Sequence, residues 1–511
     1  CCTTTLSAGI NLPARTVIVK DFKKYTASGY HIKDFTGFYE LGDGFSYFKP
    51  FSANEIFQMV GRAGRPGLDA KGYGILLAKD IDERIWIEDH YFTKERHGKK
   101  ITLIPSYNAL ESAMNDGNTL KEQVLLRVYE EESITMDDLK RFFEKTYFWY
   151  NMERNEDKPK MPIDQFLLIR EVSPLNVLKL HSDPKKVRTL LKKQHHVKLS
   201  RMNDSQVVGV VKTDFGIQTC AFDIDAGVRC SCGFKNAIND NFAHSGFCFV
   251  FCDHVTAFLI YLLKNPDKNF QQYISDIVPK SVKNQYILNY LFEKGLIYEE
   301  EEDGLIKCSQ FGKLIIRLYI RPVSAVLIRE KLENAEMKEE LSIIQQAYEV
   351  LKAEHRVRNY KMQEPILEWI DEVPVEEIIK RYNIMAGDLH STRENLERIL
   401  MFIRIIGVEL SKSALDLREA LLGVSESCES LEMRLHHGVK QELLDLVRRI
   451  KFVGRVRGRM LFDAGYHTAS QVRDEDPYIL HQKTGLGVNL CKKFVKALKE
   501  RRREQFEEGE E

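Results

Sequence analysis

Several classes of protein are excluded by what this sequence lacks. No apolar run is long enough to span a membrane as a helix, and no segment reads as a signal peptide. Neither sign of charge is in excess: 75 Lys and Arg balance 75 Asp and Glu, so nucleic-acid binding has to come from local basic patches. Ten cysteines in 511 residues do not make a disulfide scaffold, and where they cluster with histidine a metal is expected instead. There is no G-x-x-x-x-G-K-[ST] phosphate loop and no Asp-Glu box for Mg²⁺, since Gly312-Lys313 is a lone pair without the loop. What is present, 43% hydrophobic and 29% charged residues, describes an ordinary folded chain long enough for several domains.

The most informative stretch is Gln58-Met59-Val60-Gly61-Arg62-Ala63-Gly64-Arg65-Pro66-Gly67. An amphipathic run, Ser52 to Met59, leads into two arginines three apart among glycines. Such a pair suits a multiply charged planar anion such as a nucleotide γ-phosphate, or equally two surface salt bridges. If a helix starts there, Arg62 and Arg65 share a face. Upstream, a polar, glycine-bearing turn over 3–15 precedes a strand, Thr16 to Val19, and downstream Lys71 to Ala78 reads as another buried strand. The alternation is an α/β pattern.

The two segments together, TTTLSAGINLPARTVIV and QMVGRAGRPG, resemble motifs V and VI of superfamily 2 helicases of the Ski-type branch. The resemblance implies that residues 1–105 are the C-terminal part of a second RecA-like domain. Thr5, Gly9 and Asn11 would lie at the nucleic-acid and nucleotide face. Gln58, Arg62 and Arg65 would face ATP, the arginines stabilising charge in phosphoryl transfer. The opening Cys1-Cys2-Thr3 without methionine reads as the start of a fragment. ATP and Mg²⁺ are therefore expected to act only with a missing N-terminal domain, and the chain alone should not hydrolyse ATP. Between the motifs, Gly42-Asp43-Gly44 among aromatics signals a hairpin, which in fork-unwinding members of the branch splits the duplex.

Residues 119–150 read as two helices, the second capped by Thr135 or Asp137, and 282–322 as a helix followed by two strands around Asp303-Gly304. Together (106–154 and 276–322) they resemble the winged helix of the same helicases. An insert, 155–275, interrupts them. It carries eight Lys or Arg against one acid between Lys179 and Arg201, then strands over Val207 to Val211 and Gln218 to Ile224. Cys230-x-Cys232 and, after a gap, Cys252-x-His254 supply three thiolates and an imidazole, a tetrahedral zinc set with no open position and hence structural. His244 and Cys248 are close enough to replace one ligand, and Cys220 reads as a core residue. The spacing resembles the SWIM zinc finger.

Residues 323–436 read as helical, with Leu341, Ile344, Ala347 and Leu351 as a core stripe. Arg381 to Gly407 resembles the ratchet region of archaeal fork helicases, where Arg393 and Arg398 would meet single-stranded DNA, although the tryptophan usual near Arg398 is missing. Residues 437–511 resemble successive helix-hairpin-helix units ending in an acidic tail, Glu504 to Glu511, that reads as disordered. In the second unit Gly485-Leu486-Gly487 and Lys492 would hold a phosphate. In the first, Phe452-Val453-Gly454 replaces the usual Gly-Val-Gly, and Arg455, Arg457 and Arg459 match a basic string that meets emerging DNA.

The resulting expectation is a multidomain chain, α/β followed by mostly α: the C-terminal portion of an ATP-dependent 3′–5′ DNA helicase acting on forked or displaced-strand DNA in replication-linked repair or recombination. Its partners would be single-stranded and forked DNA, replication or repair proteins at the zinc-bearing insert, and no membrane. It would sit in the cytoplasm with the nucleoid. A non-catalytic DNA-binding scaffold and an RNA helicase of the same branch are the alternatives.

Overall fold

The computed structural model describes residues 14–25, 48–65, 67, 69–97, 100–107, 112–115, 117–154, 163, 167–169, 171–179, 184–192, 196–203, 206–213, 216–223, 227–231, 252–265, 268–283, 286–354 and 362–507. Thr5, Gly9, Asn11, Cys232 and the Gly42-Asp43-Gly44 hairpin tip lie outside them. The chain forms two compact units: Cys1–Leu110 with Ala347–Ile399 and Glu429–Glu511, and Glu111–Gln346 with Leu400–Cys428.

The chain begins with β1 (Thr16–Val19), which pairs in parallel with β4 (Tyr73–Leu76) across α1 (Ala53–Val60). Ser52 caps α1 through a capping box with Glu55. Below the sheet, α2 (Ile81–Tyr91) completes a core of Val19, Phe22, Phe51, Ile56, Ile87 and Tyr91. The expectation of two buried strands is corrected: only Val19 of β1 is buried, and in β4 Leu76 is half-buried while Tyr73, Gly74 and Ile75 are exposed. Ile18 is 60% exposed and its neighbour Ile75 42%, because no described element covers the second face. Two antiparallel ribbons accompany this sheet: β2 (Lys23–Tyr25) with β3 (Phe48–Pro50), which close the base of the predicted hairpin, and β5 (Phe92–His97) with β6 (Lys100–Pro105).

Next come α3 (Gly117–Glu130), the short β7 (Ser133–Ile134), α4 (Met136–Glu144) and α5 (Tyr147–Arg154). Thr135, rather than Asp137, caps α4, and the predicted second helix divides between Glu144 and Tyr147. The chain resumes this module at α10 (Ile287–Glu293), β12 (Ile297–Glu299) and β13 (Ile306–Cys308), after the elements described below. The strands join as β12-β13-β7, so Ser133 and Ile134 find their partners, Lys307 and Ile306, on the far side of the insert. Asn289 on α10 clasps the insert by a two-way bond to the backbone of Ile169, 2.8 Å in each direction.

The insert has its own core. Helices α6 (Pro174–Lys179) and α7 (Pro184–Lys192) precede a four-stranded antiparallel sheet ordered β11-β10-β9-β8: β8 (Val197–Asn203), β9 (Gln206–Thr213), β10 (Gly216–Asp223) and β11 (Gly227–Cys230). Helices α8 (Asp253–Lys264) and α9 (Lys268–Lys283) follow. Val207, Val211, Cys220, Phe222, Val255, Phe258, Leu259 and Val278 meet in one cluster. The basic run Lys179 to Arg201 therefore includes α7 and most of β8, and its apolar residues Val187 and Val197 face this core.

The remainder is helical: α11 (Gln310–Leu318), α12 (Pro322–Glu333), α13 (Glu340–Ala353), α14 (Gln363–Ile370), α15 (Val375–Tyr382), the long α16 (Ala386–Leu410), α17 (Arg418–His437), α18 (Leu444–Arg449), α19 (Arg455–Asp463), α20 (Ala469–Asp474), α21 (Pro477–Thr484) and α22 (Val488–Glu507). In the predicted stripe on α13, Ile344, Ala347 and Leu351 are buried but Leu341 is 50% exposed, at the first turn of the helix. The final helix runs to Glu507, so the acidic run from Glu504 continues a helix at its start instead of being wholly irregular.

Helix α8 lies so close to the insert's sheet that a Cβ on Gly209 would come within 2.1 Å of the Phe258 ring. Both groups sit in a packed interior, and overpacking there costs roughly 1–3 kcal/mol. Gly209→Ala should lower the thermal midpoint and displace α8, read by circular dichroism melting. An unchanged melt would show that the helix and sheet are not in this contact.

Candidate functional site

Three places gather the predicted residues. At the first, α1 ends at Val60 with Gly61 as its cap, so Arg62 and Arg65 lie in the turn beyond the helix and not along one of its faces. The turn is stitched to the segment before β1: Ala14 N–H donates to the Arg62 carbonyl at 3.0 Å, and Gly64 N–H donates to the Ala14 carbonyl at 2.7 Å. Ala14 and the turn Arg62–Gly64, distant in sequence, are thus adjacent in space. Glycine permits the approach, since a Cβ on Gly72 would stand 2.4 Å from the Ala63 carbonyl carbon. Arg65 closes bidentately on Asp69, Nε to Oδ2 at 2.7 Å and the second nitrogen to Oδ1 at 2.9 Å. The Arg65 hydrogen bond holds the Asp69 carboxyl down at about 2. Gln58 is exposed and Arg62 half-buried.

At the second place, the Sγ atoms of Cys230 and Cys252 and a ring nitrogen of His254 all lie within 4.8 Å of one another. Cys230 ends β11, while Cys252 and His254 open α8. Cys230 Sγ stands 3.9 Å from His254 Nδ1, a separation that two ligands of one tetrahedral ion can adopt. Cys220, read from sequence as a core cysteine, lies directly opposite Cys230 in the β10–β11 register with its Sγ 3.6 Å away. Its closeness depends on strand pairing, which residue spacing does not reveal.

The third place is the C-terminal helical region. Arg398 reaches the nearly inaccessible Glu354 carboxylate at 3.0 Å, and Arg393 pairs with Glu397 at 3.2 Å while only 13% of its side chain is exposed. Arg398 therefore ties α16 to the end of α13, while Arg393 pairs along its own helix, and both uses differ from the open surface expected of strand contacts. The basic string is likewise divided by helical spacing. Arg455 and Arg459, four apart on α19, turn inward: Arg455 lies over the Trp369 ring at 4.7 Å and donates to the Val373 carbonyl at 2.6 Å. Arg459 donates twice to Glu372, both at 2.8 Å, and pairs with Glu442 at 2.8 Å. Arg457, between them, is exposed and donates to the Phe452 carbonyl at 2.7 Å.

Two hairpin turns join α18 to α19 and α21 to α22. Each carries a residue at φ +70°, Phe452 in one and Gly485 in the other. Each then buries one apolar residue, Val453 or Leu486, before a glycine, Gly454 or Gly487, starts the next helix. Gly485 and Gly487 have open space beside them, and in the first turn of α22 the Leu490 N–H donates to the Gly487 carbonyl at 2.9 Å. Lys492 is exposed on the same helix, over the Tyr478 ring at 4.7 Å.

The family model described as archaeal helicase, domain 4, matches residues 317–438. The chain is similar to the ATP-dependent DNA helicase Hel308 of Caldivirga maquilingensis, 25% identical over 494 residues, covering 96% of this chain and 50% of the relative. The Hel308 of Methanococcus vannielii is 24% identical over 465 residues, 91% of this chain and 50% of that protein. That of Thermoplasma volcanium is 22% identical over 517 residues, 97% and 52%. The chain thus spans about half the length of these curated relatives.

Glu372 is the junction of the third place. Burial opposes its ionisation, but the Arg459 hydrogen bonds and the Lys440 N–H outweigh burial and leave the carboxyl below its usual value. A depressed carboxyl contributes stability above its unfolded value near 4.5, and the contribution is lost as pH falls through the folded value. Glu372→Gln should cost about 1–2 kcal/mol at pH 7, with the difference between variant and wild type shrinking in urea titrations as pH falls through the depressed folded value. A pH-independent difference would mean that the carboxylate charge is not what holds Arg459.

Proposed function

We propose that this chain is the C-terminal portion of an ATP-dependent 3′–5′ DNA helicase that opens forked or displaced-strand DNA in replication-linked repair or recombination. The observation that carries this reading is the backbone stitching of the Arg62–Arg65 turn to the segment before β1, because it unites the two stretches that resemble motifs V and VI. In this reading Arg62 and Arg65, with Gln58, face a nucleotide held largely by another RecA-like domain. The bound nucleotide and Mg²⁺ would supply the phosphoryl-transfer chemistry, and the arginines would stabilise its charge. The open apolar face of β1 and β4 is what part of a doubly wound sheet presents, since parallel strands bury both faces when covered.

The strand order β12-β13-β7 with α3, α4 and α10 supports a winged helix interrupted by the insert. Similarity to archaeal helicase domain 4 over 317–438 supports a ratchet-like bundle, and the paired turns before α19 and α22 support helix-hairpin-helix units. DNA phosphates would be met by Gly485, Gly487, Lys492 and Arg457, with Arg455 and Arg459 holding the unit in place. Competition at fixed salt between forked DNA and duplex RNA tests this. Forked DNA should win, and its affinity should fall log-linearly with salt by about 0.7–0.9 per phosphate held. Preferential binding of duplex RNA would favour an RNA helicase instead.

The thiolate and imidazole cluster fits a structural zinc of the SWIM type, held by Cys230, Cys252 and His254 with Cys232 as fourth ligand. Three of the four belong to β11 and α8, so the metal would clamp the insert's sheet to its helix. Elemental analysis should find one zinc per chain, lost in Cys252→Ser together with a lower melting midpoint of the insert. Wild-type protein free of zinc after purification without chelator would refute the site.

A further inference from the structure

We infer that Phe452 is a stacking residue for an unpaired base of DNA, held at the tip of the first C-terminal hairpin turn. The inference rests on the DNA-binding reading above and deepens it.

The backbone supplies the first argument. Phe452 lies at φ +70°, in the left-handed region that a bulky aromatic side chain rarely adopts. The equivalent position of the second turn, at the same φ, is Gly485, for which the conformation carries no steric penalty. An aromatic residue maintained where glycine would be easier has to return something, and strain of this kind concentrates at ligand contacts. Core packing does not repay it, because the Phe452 side chain is 57% exposed while the next residue, Val453, is the one that enters the core.

The surroundings supply the second argument. Lys451 lies over the Phe452 ring at 5.6 Å, and the Arg457 guanidinium is anchored to the Phe452 carbonyl at 2.7 Å. Beside them Val456, 68% exposed, and Met460, 36% exposed, are one turn apart on α19. An exposed ring and apolar strip flanked by cations is the surface that single-stranded nucleic acid uses, rings for base faces and cations for phosphates. A fully paired duplex presents only its phosphates here, because its base faces are already stacked. The turn is therefore selective for strands with unpaired bases, and it offers an aromatic ring in a chain whose Arg398 lacks a neighbouring tryptophan.

The test uses the full chain, a 2-aminopurine-labelled single strand and a duplex of the same length. Phe452→Gly relieves the left-handed strain, so it should melt no lower than wild type, which separates lost binding from lost folding. It should bind the single strand about tenfold more weakly and quench 2-aminopurine less, with duplex affinity unchanged. Phe452→Trp should retain single-strand affinity. Equal single-strand binding by wild type and Phe452→Gly would overturn the inference and leave the DNA-binding reading intact. Wild type that bound neither probe would overturn both.

Discussion

The bidentate hydrogen bond between Arg459 and Glu372 decides which parts of the C-terminal region face outward. Glu372 follows α14 in a left-handed conformation, φ +69°, and so turns its carboxylate toward both Arg459 and the Lys440 N–H. With Arg459 fixed, the neighbour one turn earlier, Arg455, must stack on Trp369. Trp369 is itself pinned by donating to the Leu435 carbonyl at 2.7 Å, against Gly438, where a Cβ would come within 2.5 Å of the indole. Helical geometry then carries Arg457 to the opposite side of α19, beside Phe452. Three arginines that look equivalent in sequence are thereby separated into two that turn inward and one that stays exposed on the Phe452 carbonyl.

A comparable logic governs the insert. Strand β7 is only two residues long, and its partner β13 comes after the whole inserted module. Such a short strand stabilises little alone, so the insert has to return its ends to nearly the same place. The Asn289 clasp on Ile169, within one compact unit, fastens one of those ends. The insert in turn depends on α8, whose apolar face packs on the sheet while its N-terminus presents Cys252 and His254 to Cys230. Hydrophobic burial thus fixes where the two sulfurs and the imidazole meet.

Local signals in the sequence were readable where short-range chemistry dominates. The strand at Thr16, the amphipathic helix before Gly61, the cap at Thr135, the turn at Gly304 and both C-terminal hairpins follow from periodicity, capping and turn residues. The cysteine and histidine spacing likewise brought Cys230, Cys252 and His254 together. What could not be read was partner choice. Arg398 looks like an exposed cation until folding brings the buried Glu354, 44 residues away, against it. Strand β8 was hidden because its lysine and arginine were counted as part of a basic run, and Cys220 because only the register sets it against Cys230. The exposed face of β1 and β4 also escaped, since an apolar strand reads the same whether or not anything covers it.

These distinctions bear on the first site as well. Arg65 is bound bidentately to Asp69, with 44% of the arginine side chain and only 6% of the aspartate side chain accessible. The turn's rigidity comes instead from backbone bonds to Ala14 and from glycine approaches at Gly72 and Gly74. The backbone is therefore fixed independently of the Arg65–Asp69 pair. In the helicase reading proposed above, a polyphosphate would compete with Asp69 for the Arg65 guanidinium without moving the turn. What distinguishes Arg65 from Arg398 and Arg459 is the reach of the pair: Asp69 lies four residues along the same turn, whereas Glu354 and Glu372 lie 44 and 87 residues from their arginines and tie distant segments together.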